Sequence, residues 1–172
     1  MPDKPTFPVA SVDDIQILES NGPWNTKSGG QLTALFNLPM PQMLEKYFHY
    51  EPSELEKLSF DTRGLRSYQV SGIAKGSIGA NEWHRNRNEL VFALQSTATW
   101  TCEDVYGRKK AFTLDGTHGA WTPPFIFHTY QAQSDNTQLL VIASTLFVPD
   151  DPSTHDSYSE EMFRELQKAY AD

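Results

Sequence analysis

Between residues 65 and 148 the chain is a succession of short strand-like segments separated by turn formers. Their spacing of about 8 to 12 residues restricts the fold to an all-β sandwich or barrel. The segments are 66–71, 76–84, 90–94, 97–102, 111–114 and 139–144, with turns signalled by Asp104-Val105-Tyr106-Gly107 and by Asp115-Gly116. The last, Leu139-Leu140-Val141-Ile142-Ala143-Ser144, is apolar almost throughout, as expected of a strand covered on both faces. Residues 65–148 are therefore the expected barrel core.

The flanks carry different signals. Residues 1–10 hold Pro2, Pro5 and Pro8 with little apolar content and are expected to form a loose arm. A first strand is expected over 12–18, a turn-rich stretch over 21–30 and a further strand over 31–36. Over 39–60 the pattern changes: Met40, Met43, Leu44 and Tyr47 fall at helical spacing, and Ser53-Glu54-Leu55-Glu56 fits a capping box. A short helical insertion covering the barrel is expected there. At the other end, Ser157-Tyr158-Ser159-Glu160 fits a second capping box, and Met162, Phe163, Leu166 and Tyr170 form one stripe, so 157–170 is expected to be a helix packed outside the barrel. With 172 residues, a single domain over 1–172 is expected.

Charge and cysteine content narrow the function classes. A net charge of -8 argues against binding a nucleic-acid backbone, which needs clustered Lys and Arg. The single Cys102 excludes an intrachain disulfide and reads as a small core residue. No segment resembles a signal peptide, and no apolar run approaches the roughly 20 residues that a membrane-spanning helix needs. A cytoplasmic protein with neither nucleic-acid nor membrane partners is the expectation.

Two stretches carry the chemistry. In Glu82-Trp83-His84-Arg85-Asn86-Arg87-Asn88-Glu89, alternation along a strand sends Glu82 and His84 to one face, and the polar turn returns Glu89 toward the same cavity. In Gly119-Ala120-Trp121-Thr122-Pro123-Pro124-Phe125-Ile126-Phe127-His128, His128 closes an apolar run introduced by two prolines. Two carboxylates and two imidazoles are thereby expected to converge. Burying the carboxylates unpaired would cost several kcal/mol each, so something must neutralise them. A divalent ion (Mn, Fe, Ni or Zn) held by Glu82, His84, Glu89 and His128 would do so, as would Arg66, Arg85 or Arg87, or a carboxyl that stays protonated. Tyr68, Arg66, Arg85 and Trp121 are the candidate substrate-binding residues, with Trp83 and Trp100 as further aromatic surfaces.

These residues resemble the cupin superfamily, whose first motif has the form Gly…His-x-His-x(3–4)-Glu and whose second has the form Gly…Pro-x-Gly-x-x-His. Gly79, His84 and Glu89 fit the first, with Glu82 where its leading His would stand; Gly119, Pro123 and His128 fit the second, with Phe125 replacing its Gly. Within the superfamily the chain looks most like the nucleotide-sugar 3,4-ketoisomerases. The resemblance runs through Lys75-Gly76, His84-Arg85, the 123–128 and 139–144 segments and Asp156-Ser157-Tyr158 before Phe163, and more faintly through Gly29-Gly30-Gln31-Leu32-Thr33. It implies a jelly-roll barrel (a double-stranded β-helix) with short N-terminal-half helices and a C-terminal helix. It also implies a homodimer that isomerises or epimerises a nucleotide-linked keto sugar by proton transfer, with His84, His128 and Glu82 as working groups and no organic cofactor. The Glu82 replacement keeps two other functions open: a metal-dependent oxygenase using the Glu/His/Glu/His set, and a non-catalytic small-molecule-binding barrel.

Overall fold

The computed structural model describes residues 9–39, 42–48 and 63–171. The strands among them are β1 (Gln16–Glu19), β2 (Asn21–Asn25), β3 (Gln31–Ala34), β4 (Arg63–Ile73), β5 (Ile78–Trp83), β6 (Glu89–Ala93), β7 (Ala98–Glu103), β8 (Lys109–Leu114), β9 (His118–Thr122), β10 (Phe127–Ala132), β11 (Thr137–Thr145) and β12 (Tyr158–Ser159), and the chain closes with helix α1 (Glu160–Ala171). One five-stranded sheet has the order β1-β9-β6-β11-β4, the other β12-β5-β10-β7-β8, and β2 pairs only with β3. Every pairing is antiparallel. The two sheets face one another as a jelly roll, the form of barrel that the family resemblance implied.

Burial follows the alternation of each strand. Val91 and Ala93 of β6, Leu139 and Val141 of β11, Ala120 of β9 and Trp100 and Cys102 of β7 meet between the sheets. Residues of opposite parity in the first sheet, Leu18, Leu90, Phe92 and Trp121, form a second cluster with Met43, Tyr47 and Phe48. A third cluster joins Trp83, Val105, Phe125 and Phe127 to Phe163 and Leu166 of α1. The helix thus covers the second sheet, as its apolar stripe requires. Gly79 and Gly119 are needed for close approach: a Cβ at Gly79 would lie 2.4 Å from the Tyr130 ring, and one at Gly119 would lie 2.3 Å from Phe92.

Several expectations are corrected. The first strand begins at Gln16, because Ser11 to Asp14 form a turn in which the Ser11 amide donates to Asp14 Oδ2 at 2.7 Å. Of the expected arm, Val9 packs against the third cluster and Ala10 against the barrel core; residues 1–8 lie outside the described residues. The turn-rich stretch is a strand over Asn21–Asn25, hydrogen-bonded to Gln31–Ala34. Within the expected helical insertion a π-helical turn spans Met43–Tyr47, while residues 40, 41 and 49–62, with the proposed Ser53 cap, lie outside the described residues. The C-terminal helix starts at Glu160: residues 158–159 pair with β5, so Ser159, not Ser157, meets the first turn, accepting from the Met162 amide at 3.4 Å. Met162 is exposed rather than part of the packed stripe.

Phe125, which stands where the resembled motif has glycine, adopts φ +63°, the left-handed conformation that glycine takes without penalty. Its amide donates to the His84 carbonyl at 2.8 Å, and its buried ring packs on Trp83 at 5.6 Å between centroids. Packing offsets the backbone cost. Phe125→Ala is expected to lose about 3–5 kcal/mol of stability through the emptied ring site. Phe125→Gly should recover about 1 kcal/mol of that, since it alone relieves the left-handed strain. Denaturant titration checks the order; an alanine variant as stable as the glycine variant would contradict it.

Candidate active site

Between the sheets lies a cavity of about 160 Å³. Its polar wall carries Tyr68, Glu82, Glu89 and His128, and its apolar wall Val70, Ala80, Trp100, Leu139 and Val141, with Tyr130 completing the lining.

A bulge in β5 decides which residues reach this wall. Tyr130 pairs with Gly79 and Thr129 with Ala80, but His128 pairs with Glu82, leaving Asn81 as an extra residue. Ala80 and Asn81 absorb it with φ of +66° and +57°. Without the bulge, Asn81 would sit across from His128 and Glu82 would turn toward the cluster beneath α1. Simple alternation therefore describes Glu82 to His84, whereas the step from Gly79 to Glu82 departs from it. His128, which ends the apolar run of the sequence, is the second residue of β10.

The buried charge is concentrated on Glu89. Its Oε1 accepts from the Tyr68 hydroxyl at 3.1 Å and from Arg87 Nη1 at 3.3 Å, and lies 3.4 Å from His84 Nε2, while Oε2 lies 3.5 Å from His128 Nε2. Arg87 is itself buried, with Nε donating to Thr145 Oγ1 at 3.2 Å. Burial pushes the Glu89 carboxyl up, but the charge and hydrogen bond of His84 and the charges of His128 and Arg87 outweigh it and hold Glu89 well below the usual carboxylate range. Arg87 is the permanent cation of that group. Burial, then the Glu89 charge, raises the Tyr68 hydroxyl.

The two imidazoles are held differently. His128 Nδ1 lies 3.1 Å from the Ile126 carbonyl, which can only accept, so Nδ1 carries the proton there. Its Nε2 is buried with no hydrogen-bond partner among the described residues, and the ring stacks on Trp100 at 4.8 Å. Burial pushes His128 down to about 4 against the opposing charge of Glu89, so the ring is neutral at pH 7 with its Nε2 lone pair at the cavity wall. His84 Nδ1–H donates a hydrogen bond to the Asp156 carbonyl, and its Nε2 lies 3.4 Å from Arg87 Nη1. It is buried and does not line the cavity.

The remaining expected residues are scattered. Arg66 stacks over Tyr68 at 5.0 Å and near Phe147 at 5.3 Å, outside the cavity lining. Arg85 lies half-buried over Tyr158 at 6.0 Å, also outside it. Trp121 belongs to the outer cluster and donates its Nε1–H to the Tyr47 carbonyl at 2.7 Å, so the aromatic surface in the cavity is Trp100. The sequence had offered Arg87 as one of three possible neutralising cations and Trp100 as a further aromatic surface, and the structure places both at the site. It gave Asp156 no role, because that role depends on which elements meet.

As to a divalent ion, Glu82, His84 and His128 place one ligand atom each within 4.8 Å of one another, and both imidazoles tie Nδ1 to a backbone carbonyl, as ligating histidines do. Glu89, the fourth expected ligand, is not in that group: its carboxylate is engaged by Tyr68 and Arg87. An ion held by the three would supply Lewis-acid polarisation of a substrate oxygen.

No family model matches the chain, and no curated protein matches it. Solved structures do. The sugar 3,4-ketoisomerase QdtA from Thermoanaerobacterium thermosaccharolyticum, in complex with TDP, is 15% identical over 93% of this chain and 98% of its own, with a TM-score of 0.62. A 3,4-ketoisomerase from Helicobacter canadensis is 16% identical over 92% and 98%, with a TM-score of 0.62. The rmlC epimerase of Mycobacterium tuberculosis is 12% identical over 88% and 70%, with a TM-score of 0.58. The fold is thus the cupin jelly roll of those proteins. Among the described residues no helix is long and apolar enough to cross a membrane.

Proposed function

We propose that this protein is an isomerase- or epimerase-type enzyme that moves a proton at a carbon beside the carbonyl of a sugar-like substrate, the sugar being nucleotide-linked. The observation that carries the reading is the unpartnered Nε2 of His128 at the cavity wall, directly across the strand pair from Glu82. A carbon acid needs a base with a free lone pair and an acid that returns the proton, both within reach of one ring. His128 Nε2 takes the proton from the carbon bearing the hydroxyl. The electron pair moves to the adjacent carbonyl to give an enediol, and the proton returns to the former carbonyl carbon. Glu82 passes the hydroxyl proton between the two oxygens. Returning the proton to the opposite face of the original carbon would give epimerisation instead. Trp100 and the apolar wall keep water from the ring. Glu89, fixed by Arg87 and Tyr68, holds its charge beside both imidazoles, and His84 serves as a positioning group.

The fold likeness supports the substrate class, since structures of the Thermoanaerobacterium enzyme contain TDP or TDP-4-keto-6-deoxyglucose. The test is entry of solvent deuterium into a panel of nucleotide-linked 4-keto sugars during turnover; no exchange and no binding across the panel would overturn the reading. Exchange that survives chelator dialysis fits acid/base chemistry by side chains alone. Loss that returns with Mn, Fe, Ni or Zn would assign the Glu82, His84 and His128 group to an ion.

We further infer a homodimer. Trp24 and Leu32 are cross-strand neighbours on the β2–β3 hairpin, which pairs with neither main sheet, and both are about half exposed. A second copy would cover this apolar pair. Light scattering should give about twice the chain mass of 19.5 kDa; a monomer at micromolar concentration would contradict it.

A further inference from the structure

We infer that Asp156 is a positioning residue for this site and that the segment carrying it is the strap that fixes the turn between β5 and β6. The inference rests on the proposed function only for its effect on turnover. The turn from His84 to Asn88 carries Arg87, whose guanidinium meets Glu89, yet the turn is polar and lies outside both strands. Its backbone amides need partners from elsewhere, because buried N–H groups left unpaired are costly. Asp156, 72 positions from His84 in sequence, supplies them. Its Oδ1 accepts from the Arg85 amide and its Oδ2 from the amides of Asn86 and Arg87, each at 2.9 Å. Its backbone carbonyl accepts a hydrogen bond from His84 Nδ1–H.

One residue therefore sets two things. The carboxylate gathers three successive N–H groups, which fixes the path of the turn and hence the origin of the Arg87 side chain. The carbonyl fixes the His84 tautomer and so turns Nε2 toward Arg87 and Glu89. The chain just beyond completes the strap: Tyr158 pairs with Trp83 and Ser159 with Glu82. The C-terminal segment thus grips β5 at the cavity carboxylate and the turn at the histidine. Asp156 is itself buried and lies outside the cavity lining, so it acts through its neighbours.

The test compares Asp156→Ala and Asp156→Asn with wild type. Nitrogen-edited NMR reads the His84 ring: in wild type the Nδ1–H signal should be slow to exchange with solvent. In Asp156→Ala that exchange should be about tenfold faster or more, as local opening becomes easier. Turnover should fall by about 10–100-fold with little change in KM, the effect expected of a misplaced catalytic group. Asp156→Asn keeps one acceptor oxygen and should fall between the two; if the alanine variant does not fold, the asparagine variant decides. A His84 ring signal and turnover unchanged in a folded variant would overturn the inference. So would lowered thermal stability with an unchanged His84 signal, which marks a merely structural residue. A changed His84 signal in a protein that shows no keto-sugar exchange even as wild type supports the strap and sinks the proposed reaction.

Discussion

Arg87→Met is expected to destabilise the protein by about 3–5 kcal/mol, the cost of leaving a buried charge without its partner. Arg87 and Glu89 have side chains only 3% and 2% exposed and are joined at 3.3 Å, so water cannot replace the guanidinium when it is removed. The double variant Arg87→Met with Glu89→Gln should recover much of the loss, because the remaining neutral amide no longer demands a cation. Denaturant titration at neutral pH measures both. Acid titration adds a signed check. The folded Glu89 carboxyl is held below the unfolded value of 4.5, so the unfolded chain binds its proton first. The stabilisation is therefore present above that value and lost as pH falls below it. The Arg87→Met protein should show a weaker dependence, keeping the part that His84 and His128 contribute. A single variant within about 1 kcal/mol of wild type would mean that Glu89 does not depend on Arg87 for its charge.

His128→Asn should slow deuterium exchange into the keto-sugar substrate by about 100-fold or more while leaving the fold intact, the scale expected for loss of a general base. Asparagine offers an N–H toward the Ile126 carbonyl and a comparable shape against Trp100, but no basic nitrogen at the position of Nε2. His84→Asn should have a smaller effect, since His84 lies off the cavity wall. The pH profile gives a second measurement. With His128 pushed down to about 4, the acidic limb of wild-type kcat/KM should lie near that value rather than at the ordinary 6.5 of an imidazole. Protonation below it removes the base, so activity is lost as pH falls. An acidic limb near 6.5 in wild type, or near-normal exchange in His128→Asn, would remove His128 from the role of base.

The fold was largely legible because its determinants are local. Strand alternation, turn residues and the apolar run at 139–144 all act over a few positions, so a sandwich or barrel and six of its strands could be read directly, whereas the jelly roll was implied by the family resemblance and β9 and β10 were not read as strands. His84, Glu89 and His128 were found by spacing, and all three do meet around the Glu89 carboxylate. What escaped was the phase of individual residues. Alternation gives two faces without saying which one looks inward: Trp121 and Ala120 are neighbours, and packing against Tyr47 sends Trp121 outward while Ala120 enters the core. That is why Trp100, on a strand of the opposite sheet, carries the aromatic surface instead.

The all-β architecture, the C-terminal helix and the residue types gathered at the site follow from periodicity and motif spacing, which are properties of neighbouring residues. The closing of the fold is what made a left-handed bulge at Ala80 and Asn81 bring Glu82 opposite His128. It also decided that Arg87 compensates the buried charge of Glu89, and that Asp156 reaches back 72 positions to the turn beside His84. These contacts depend on how two sheets and a C-terminal segment close on one another, and the free energy of a buried ion pair or a gathered set of amides exists only once water has been excluded from the space between them.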